Sequence, residues 1–498
     1  MLFKKYTLVL LGTLLAAACL TVSCSSPRRE IKNLRVAVKN LMRDVDDLTA
    51  EQLESAVSSD IKFDKVLLKY TAGQHSSVTI GPDGKLYACA IDGRIKRFTI
   101  KADGTLTKPE VLYSLQDISG KRIPRITIGF TFDPTATAEN LVAWVTHSSF
   151  AFTDGPDWDG KLTRLSGTNL EMAQDVLVQL PRSAKDHLTN SIAFGPDGAL
   201  YFCQGSNTAM GSPDSTWANR EEHLLTAAVL RLDLTKLKVT ELPLNVKTAA
   251  GGHYNPYNAY APLTIYATGI RNAYDLLWHS NGELYVPANG SGAGGNTPAS
   301  VAGTRRPDGS LYAGPQVPAV NEVPEEQKDY LFRVEKGGYY GHPNPSRGEY
   351  VMNGGNPSAG QDPAEFRRYP VGVLPDANWR GYAFEFPVHN SPNGIIEYQS
   401  NAFGGQLKGK LLVARLMNRD LMVLEPGGDQ ENIVRKSVGS AVPGFSDFLL
   451  PIDLTEDRST GNIYVAEYGG EGCITLLRPQ EKPEAPVLSF SKLLSLIF

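Results

Sequence analysis

The segment Asp186-His187-Leu188-Thr189-Asn190 holds the side chain best suited to proton transfer in this chain of 498 residues. A neutral imidazole, with an ordinary pKa of about 6.5, takes a proton from a hydroxyl while a hydride leaves to an acceptor. Such a base needs its other ring nitrogen held, because that bond fixes the tautomer. Gln204, Ser206 and Asn207 follow one strand later and can hold it only as neutral partners. The competing reading is a hydrogen-bonded structural histidine lining a funnel. His342 and His389 stand in loops that can reach the same place, and His253 sits on an insertion that can cap it.

Other constellations carry less. Asp154, Asp157 and Asp159 offer hard oxygens, but their spacing completes no calcium loop, so a solvated acidic turn is expected. The glycine-rich run 291–296 lacks the lysine and the helix of a phosphate loop. There is no G-x-S-x-G elbow for a serine nucleophile. Cys89, Cys203 and Cys473 have no metal-ligand spacing, and no protein-held metal site is expected from cysteine. Cys89 and Cys203 occupy one place in two repeats (Leu-Tyr-Ala-Cys and Leu-Tyr-Phe-Cys), so separate buried thiols are expected.

The elements that must position these residues announce themselves by repetition. Gly81-Pro82-Asp83-Gly84-Lys85-Leu86-Tyr87 recurs as Gly195-Pro196-Asp197-Gly198-Ala199-Leu200-Tyr201 and as Ser280-Asn281-Gly282-Glu283-Leu284-Tyr285. Variants stand at 133–145, 405–413 and 460–465, which makes six turn-then-strand marks. Alternation in 94–100 and 229–234 supports strands. Radial repetition protects sheet edges and lets a long chain form one body. The fold expected is all-β: one six-bladed β-propeller over 62–480.

The flanks read differently. Residues 1–23 read as a lipoprotein signal: Lys4 and Lys5, a short apolar run, then Leu20-Thr21-Val22-Ser23 before Cys24. Cys24 is the expected lipidation site, with a competing box ending at Cys19. Removal of the signal takes two lysines and no carboxylate, so the formal charge of −4 becomes −6. That mild acidity argues against nucleic acid as a partner. Residues 24–61 are expected as a tether or short amphipathic helix, and 481–498 as a tail. The expected location is a bacterial envelope, lipid-anchored on the non-cytoplasmic side.

Five segments resemble the soluble quinoprotein glucose/sorbosone dehydrogenase family in the right order. They are Pro181-Arg182-Ser183-Ala184-Lys185-Asp186-His187 with its Gly-Pro-Asp-Gly strand; Ile126-Thr127-Ile128-Gly129-Phe130; Tyr266-Ala267-Thr268-Gly269-Ile270-Arg271-Asn272; Gly337-Gly338-Tyr339-Tyr340-Gly341-His342-Pro343; and Ser391-Pro392-Asn393-Gly394 with 407–413. The likeness runs from about 125 to 470. It implies a six-bladed propeller, a sugar or alcohol substrate, pyrroloquinoline quinone with calcium, His187 as general base, and Arg271 as a quinone contact. Asn272 and Gln204 are the further cofactor-binding candidates.

The sequence also departs from that pattern. Gly205 is followed by Ser206, where the family has an aspartate that orients the base. Residues 287–292 replace the loop whose carbonyls hold calcium, and Met417 falls at the cofactor lysine. A tricarboxylate needs fixed cations to offset its desolvation. Two readings follow: a quinone-type sugar dehydrogenase that holds its quinone weakly, or a non-catalytic propeller that binds a glycan or a protein partner at the envelope.

Overall fold

The computed structural model describes residues 60–117, 121–306, 308–362, 364–427 and 432–480. Cys24, the signal, most of the tether and the tail lie outside the described residues.

Six antiparallel sheets follow one another in chain order, and each is a propeller blade. Blade 1 spans 75–112, blade 2 125–180, blade 3 189–268, blade 4 277–388, blade 5 392–437 and blade 6 451–479. Blade 2 gains a fifth strand, Leu244–Asn245, paired parallel to Met172–Leu180. Among the described residues there are strands and short 3-10 turns and no α-helix. The ring is closed by Phe63–Leu67, which pairs with Cys473–Pro479 as the outer strand of blade 6. The two ends of the propeller thereby share one sheet.

All six sequence marks join the first strand of a blade to its second. Their chemistry is local. Gly84 and Gly198 adopt φ of +70° and +74°, a conformation that side chains resist. Asp83 accepts from the Tyr87 hydroxyl at 3.0 Å, and Asp197 accepts from Tyr201 at the same distance. Each aspartate thus ties the turn to the strand it starts. The second strands Leu86–Ala90, Leu200–Gln204 and Leu284–Ala288 are buried throughout, because blades cover them on both faces. Burying each large apolar side chain contributes about 1.5–3 kcal/mol. Cys89 and Cys203 are free, buried thiols on two of these strands.

Three long connections rise from this scaffold. Residues 205–227 form a strap between the second and third strands of blade 3; 289–327 and 334–383 are insertions in blade 4. They share an apolar cluster of their own, in which Met210 and Trp217 of the strap meet Tyr312, Val351 and Phe366. The strap is therefore packed, not a loose loop.

Candidate functional site

His187 lies just before the inner strand Thr189–Phe194 of blade 3. Its amide donates to Ser183 Oγ at 3.0 Å, and Ser183 N donates to the His187 carbonyl at 2.9 Å, closing a tight loop. The fully buried Arg182 fixes that loop by donating to carbonyls of Ser183, Ser149 and Lys185. His187 Nδ1 sits 3.0 Å from both the carbonyl and the hydroxyl of Ser206. A carbonyl only accepts, so the proton is on Nδ1 and Nε2 is bare. Burial, then the charge of Arg271, holds the pKa well below its ordinary value, and the ring is neutral.

Arg271 and Asn272 arrive from the end of blade 3. Gly205 passes between them and His187; a Cβ there would meet His187 Cβ at 2.7 Å and Asn272 Oδ1 at 2.9 Å. Ser206 N donates to the Arg271 carbonyl at 2.8 Å. Arg271 is half-buried, and the desolvation of its guanidinium lowers its pKa to about 10. Its guanidinium donates to the Ala209 carbonyl at 3.1 Å and the Gly290 carbonyl at 2.9 Å. Asn272 Oδ1 accepts from Asn190 at 3.0 Å.

Sequence reasoning did not anticipate Trp217. Its ring lies on His187, centroids 4.1 Å apart and 35° from parallel. The Arg271 guanidinium is 5.6 Å from the same ring, and Lys185 Nζ is 5.3 Å from it. Asp214 caps the short 3-10 turn Ser215–Trp217 by accepting from Trp217 N, and it accepts from Ala209 N at 3.1 Å. The cap signature Asp214-Ser215-Thr216 was the one local signal for this feature. His187 and Arg271 thus meet around one indole. Gln204 does not join them: its amide turns back to the carbonyls of Pro181 and Leu188 and to Thr189. Asn207 donates to the Glu221 carbonyl at 2.8 Å, so Ser206 alone of the three holds His187.

A second imidazole stands nearby. Glu222 accepts from Asn207 N, Thr208 N, the Thr208 and Thr226 hydroxyls, and His342 Nε2 at 3.0 Å. Burial alone would raise the Glu222 pKa; the bonds from His342, Thr208 and Thr226 outweigh it and bring the pKa to about 2. His342 is 3% exposed, and burial lowers its pKa despite the carboxylate beside it. His342, Arg271, Asn289 and Ser291 line a cavity of about 30 Å³. His389 lies apart, half exposed and paired with Glu326.

These residues do not fit a tricarboxylate quinone. The face of His187 is taken by Trp217, and the adjoining cavity is far below the ~300 Å³ of an ordinary cofactor site. The cations are engaged elsewhere. Arg415 pairs with Asp420 at 2.8 Å, Arg419 donates to the Phe448 carbonyl, and Met417 points outward, 59% exposed. The Gly290 carbonyl, in the loop that would hold calcium, faces a guanidinium instead. Among the described residues no three His, Cys, Asp or Glu side chains are placed to hold a metal. Asp157 pairs with His223, and Asp159 accepts from Ser149 N.

A family model described as Glucose / Sorbosone dehydrogenase matches residues 134–474. The soluble aldose sugar dehydrogenase of Escherichia coli, solved in its apo form, superposes with a TM-score of 0.53 at 15% identity, over 84% of this chain and 100% of its own. The holo PQQ domain of pyranose dehydrogenase from Coprinopsis cinerea gives 0.52 at 12% identity, over 85% and 96%. A carbohydrate-active enzyme of family AA12 from Trichoderma reesei gives 0.51 at 14% identity, over 84% and 95%. At these identities the structural likeness is one of fold.

Proposed function

The chain belongs to the glucose/sorbosone dehydrogenase family, and from that premise we propose that it acts on a sugar or related alcohol, with His187 taking the hydroxyl proton. The bare Nε2 of His187, set by the Nδ1–H bond to the Ser206 carbonyl, carries this reading. The same carbonyl steadies the ring as it gains charge. Buried under Trp217 the imidazole is neutral but weakly basic, and a useful base has a pKa near the working pH. Withdrawal of Trp217 would rehydrate the ring, raise its basicity and open the face a substrate needs. Oxidation also moves a hydride from the carbinol carbon, and its acceptor would be a diffusible two-electron oxidant of the quinone or redox-dye class, because the residues around His187 do not fit a resident quinone.

The test compares wild type, Trp217→Ala, and Trp217→Ala with His187→Gln, each given pyrroloquinoline quinone, calcium, a redox dye and a panel of sugars and alcohols. Wild type should show no quinone-dependent rise in stability; a ligand at a hundred times its Kd would add about 2.7 kcal/mol. Trp217→Ala should reduce dye, and His187→Gln should lower that rate by about 10²–10⁴-fold. No oxidation by Trp217→Ala would sink the reading. Saturable binding of a glycan or protein that survives His187→Gln would instead favour a non-catalytic binding propeller. The Arg271 guanidinium, already satisfied by backbone carbonyls, favours that second reading.

The envelope location belongs to the same proposal. Acyl chains on Cys24 would hold the protein at a membrane, each buried methylene adding about 0.8 kcal/mol. A labelled fatty acid should mark the wild type and leave Cys24→Ala unmarked; equal labelling would reject Cys24.

A further inference from the structure

We propose that the cavity beside Arg271 is a subsite for a neutral hydroxyl of a sugar or polyol, received by His342 Nδ1 and Asn289 Oδ1. This deepens the reading above and rests on it for the class of ligand. His342 and Asn289 both line the cavity, and these two atoms are buried without a protein partner.

The state of His342 follows from Glu222. That carboxylate is surrounded by donors, and an ionised carboxylate only accepts. His342 Nε2, at 3.0 Å, must therefore carry the proton, which leaves Nδ1 as a bare lone pair. Asn289 adds a second acceptor, while its backbone N–H already donates to the Asn272 carbonyl at 2.9 Å. Two acceptors without donors call for a donor.

The neighbours narrow its chemistry. An ammonium or a metal cation would suit the two lone pairs but would face the Arg271 guanidinium. An anion would suit Arg271 but would face two lone pairs. A hydroxyl donates to one side and accepts from the other, at no charge penalty. The volume of about 30 Å³ takes roughly one water or one hydroxyl group. His342 is here a positioning residue: it holds a hydroxyl, while the proton taken in oxidation goes to His187.

The test is ¹⁵N-histidine NMR on the full chain, with glycerol and D-glucose as probes. In the free protein the His342 signals should read protonated at Nε2 and bare at Nδ1. A probe should shift Nδ1 saturably. His342→Gln keeps an N–H for Glu222 and replaces the fixed ring Nδ1 by an amide oxygen on a different vector; it should weaken the probe's Kd, measured by calorimetry, about three- to tenfold. Asn289→Ala should do the same and serves if His342→Gln fails to fold. A proton on Nδ1, no response of His342 to either probe, or unchanged affinity in a folded variant overturns the proposal. Oxidation with a shift at His187 alone would leave the proposed function standing and sink this subsite. A His342 shift with no oxidation by Trp217→Ala would do the reverse.

Discussion

Glu222 in the strap and Asp453 on the inner strand of blade 6 are each 6% exposed, yet their charges answer burial in opposite ways. Glu222 is driven down to a pKa of about 2. Asp453 is driven up, first by burial and then by the charge of Asp275. Asp275 is raised too, by burial. The difference is the company each keeps. Glu222 gathers two hydroxyls, two backbone N–H groups and an imidazole N–H. Asp453 receives backbone N–H groups from Val78 at 2.7 Å and Leu454 at 2.9 Å. Asp275 likewise receives Ile395 and Leu276, both at 2.9 Å. With a hydroxyl from Ser77 and from Ser191 added, each aspartate has three donors, which do not offset desolvation, and for Asp453 a like charge adds to it; the five donors of Glu222, one of them an imidazole, do. The aspartates instead latch blades together, Asp453 to blade 1 and Asp275 to blade 5, and they titrate as a pair.

The sharpest way to break this comparison is Glu222→Gln. The variant replaces an acceptor-only group with one that turns an N–H toward donors. Breaking such a buried network should cost about 3–5 kcal/mol, read from the urea midpoint at neutral pH. A loss under about 1 kcal/mol would mean the donors are not what holds the charge. Because the folded pKa is depressed, the wild-type contribution is present above the unfolded value of 4.5 and is lost as pH falls toward 2. The variant's acid limb should be flatter.

Asp453→Asn should act with the opposite pH sense. A raised carboxylate binds its proton more tightly when folded, so wild-type stability falls as pH rises above the ordinary carboxylate range of about 4. Asparagine keeps one acceptor of two, which costs about 1 kcal/mol at low pH. It also removes the like-charge conflict, so the variant should become the more stable protein by about 1–2 kcal/mol in alkaline buffer. Stability curves that never cross between pH 5 and 9 would show that the pair is not in conflict.

The smallest effect belongs to the exposed pair Lys238–Glu241, 2.9 Å apart with both side chains more than half exposed. Lys238→Ala should change stability by less than about 0.5 kcal/mol, and added salt should erase even that. A larger loss would mean that charge pairing matters here without burial, which would blunt the contrast between Glu222 and Asp453.

Much of the fold was legible because its signals are short-range. Asp83 and Asp197 bind a tyrosine four residues on, and the glycines between them set the turn, so each mark can be read within one heptapeptide. Closure by 63–67 was not legible: the strand's partner lies more than 400 residues away, and nothing in Phe-Asp-Lys-Val-Leu distinguishes an outer strand from any other. The site was legible in part. The neighbourhood of His187 with Ser206 spans 19 positions and one strand pair. Gln204, two residues earlier, shares that strand, but its amide turns to the carbonyls behind it.

By itself the sequence determined the six-fold repetition and a histidine at the mouth of blade 3, because turns and strand alternation are written in neighbouring residues. Only the tertiary structure decided which groups surround that histidine. Trp217 reaches it across a strap whose path is set by packing against blade 4 insertions. Glu222 and His342 are 120 residues apart in the chain and 3.0 Å apart in space. No local pattern links them, since a contact of that span exists only once the strap of blade 3 and the insertion of blade 4 have found one another. The charge of each buried group was decided at the same level, because it depends on the number of donors that converge there.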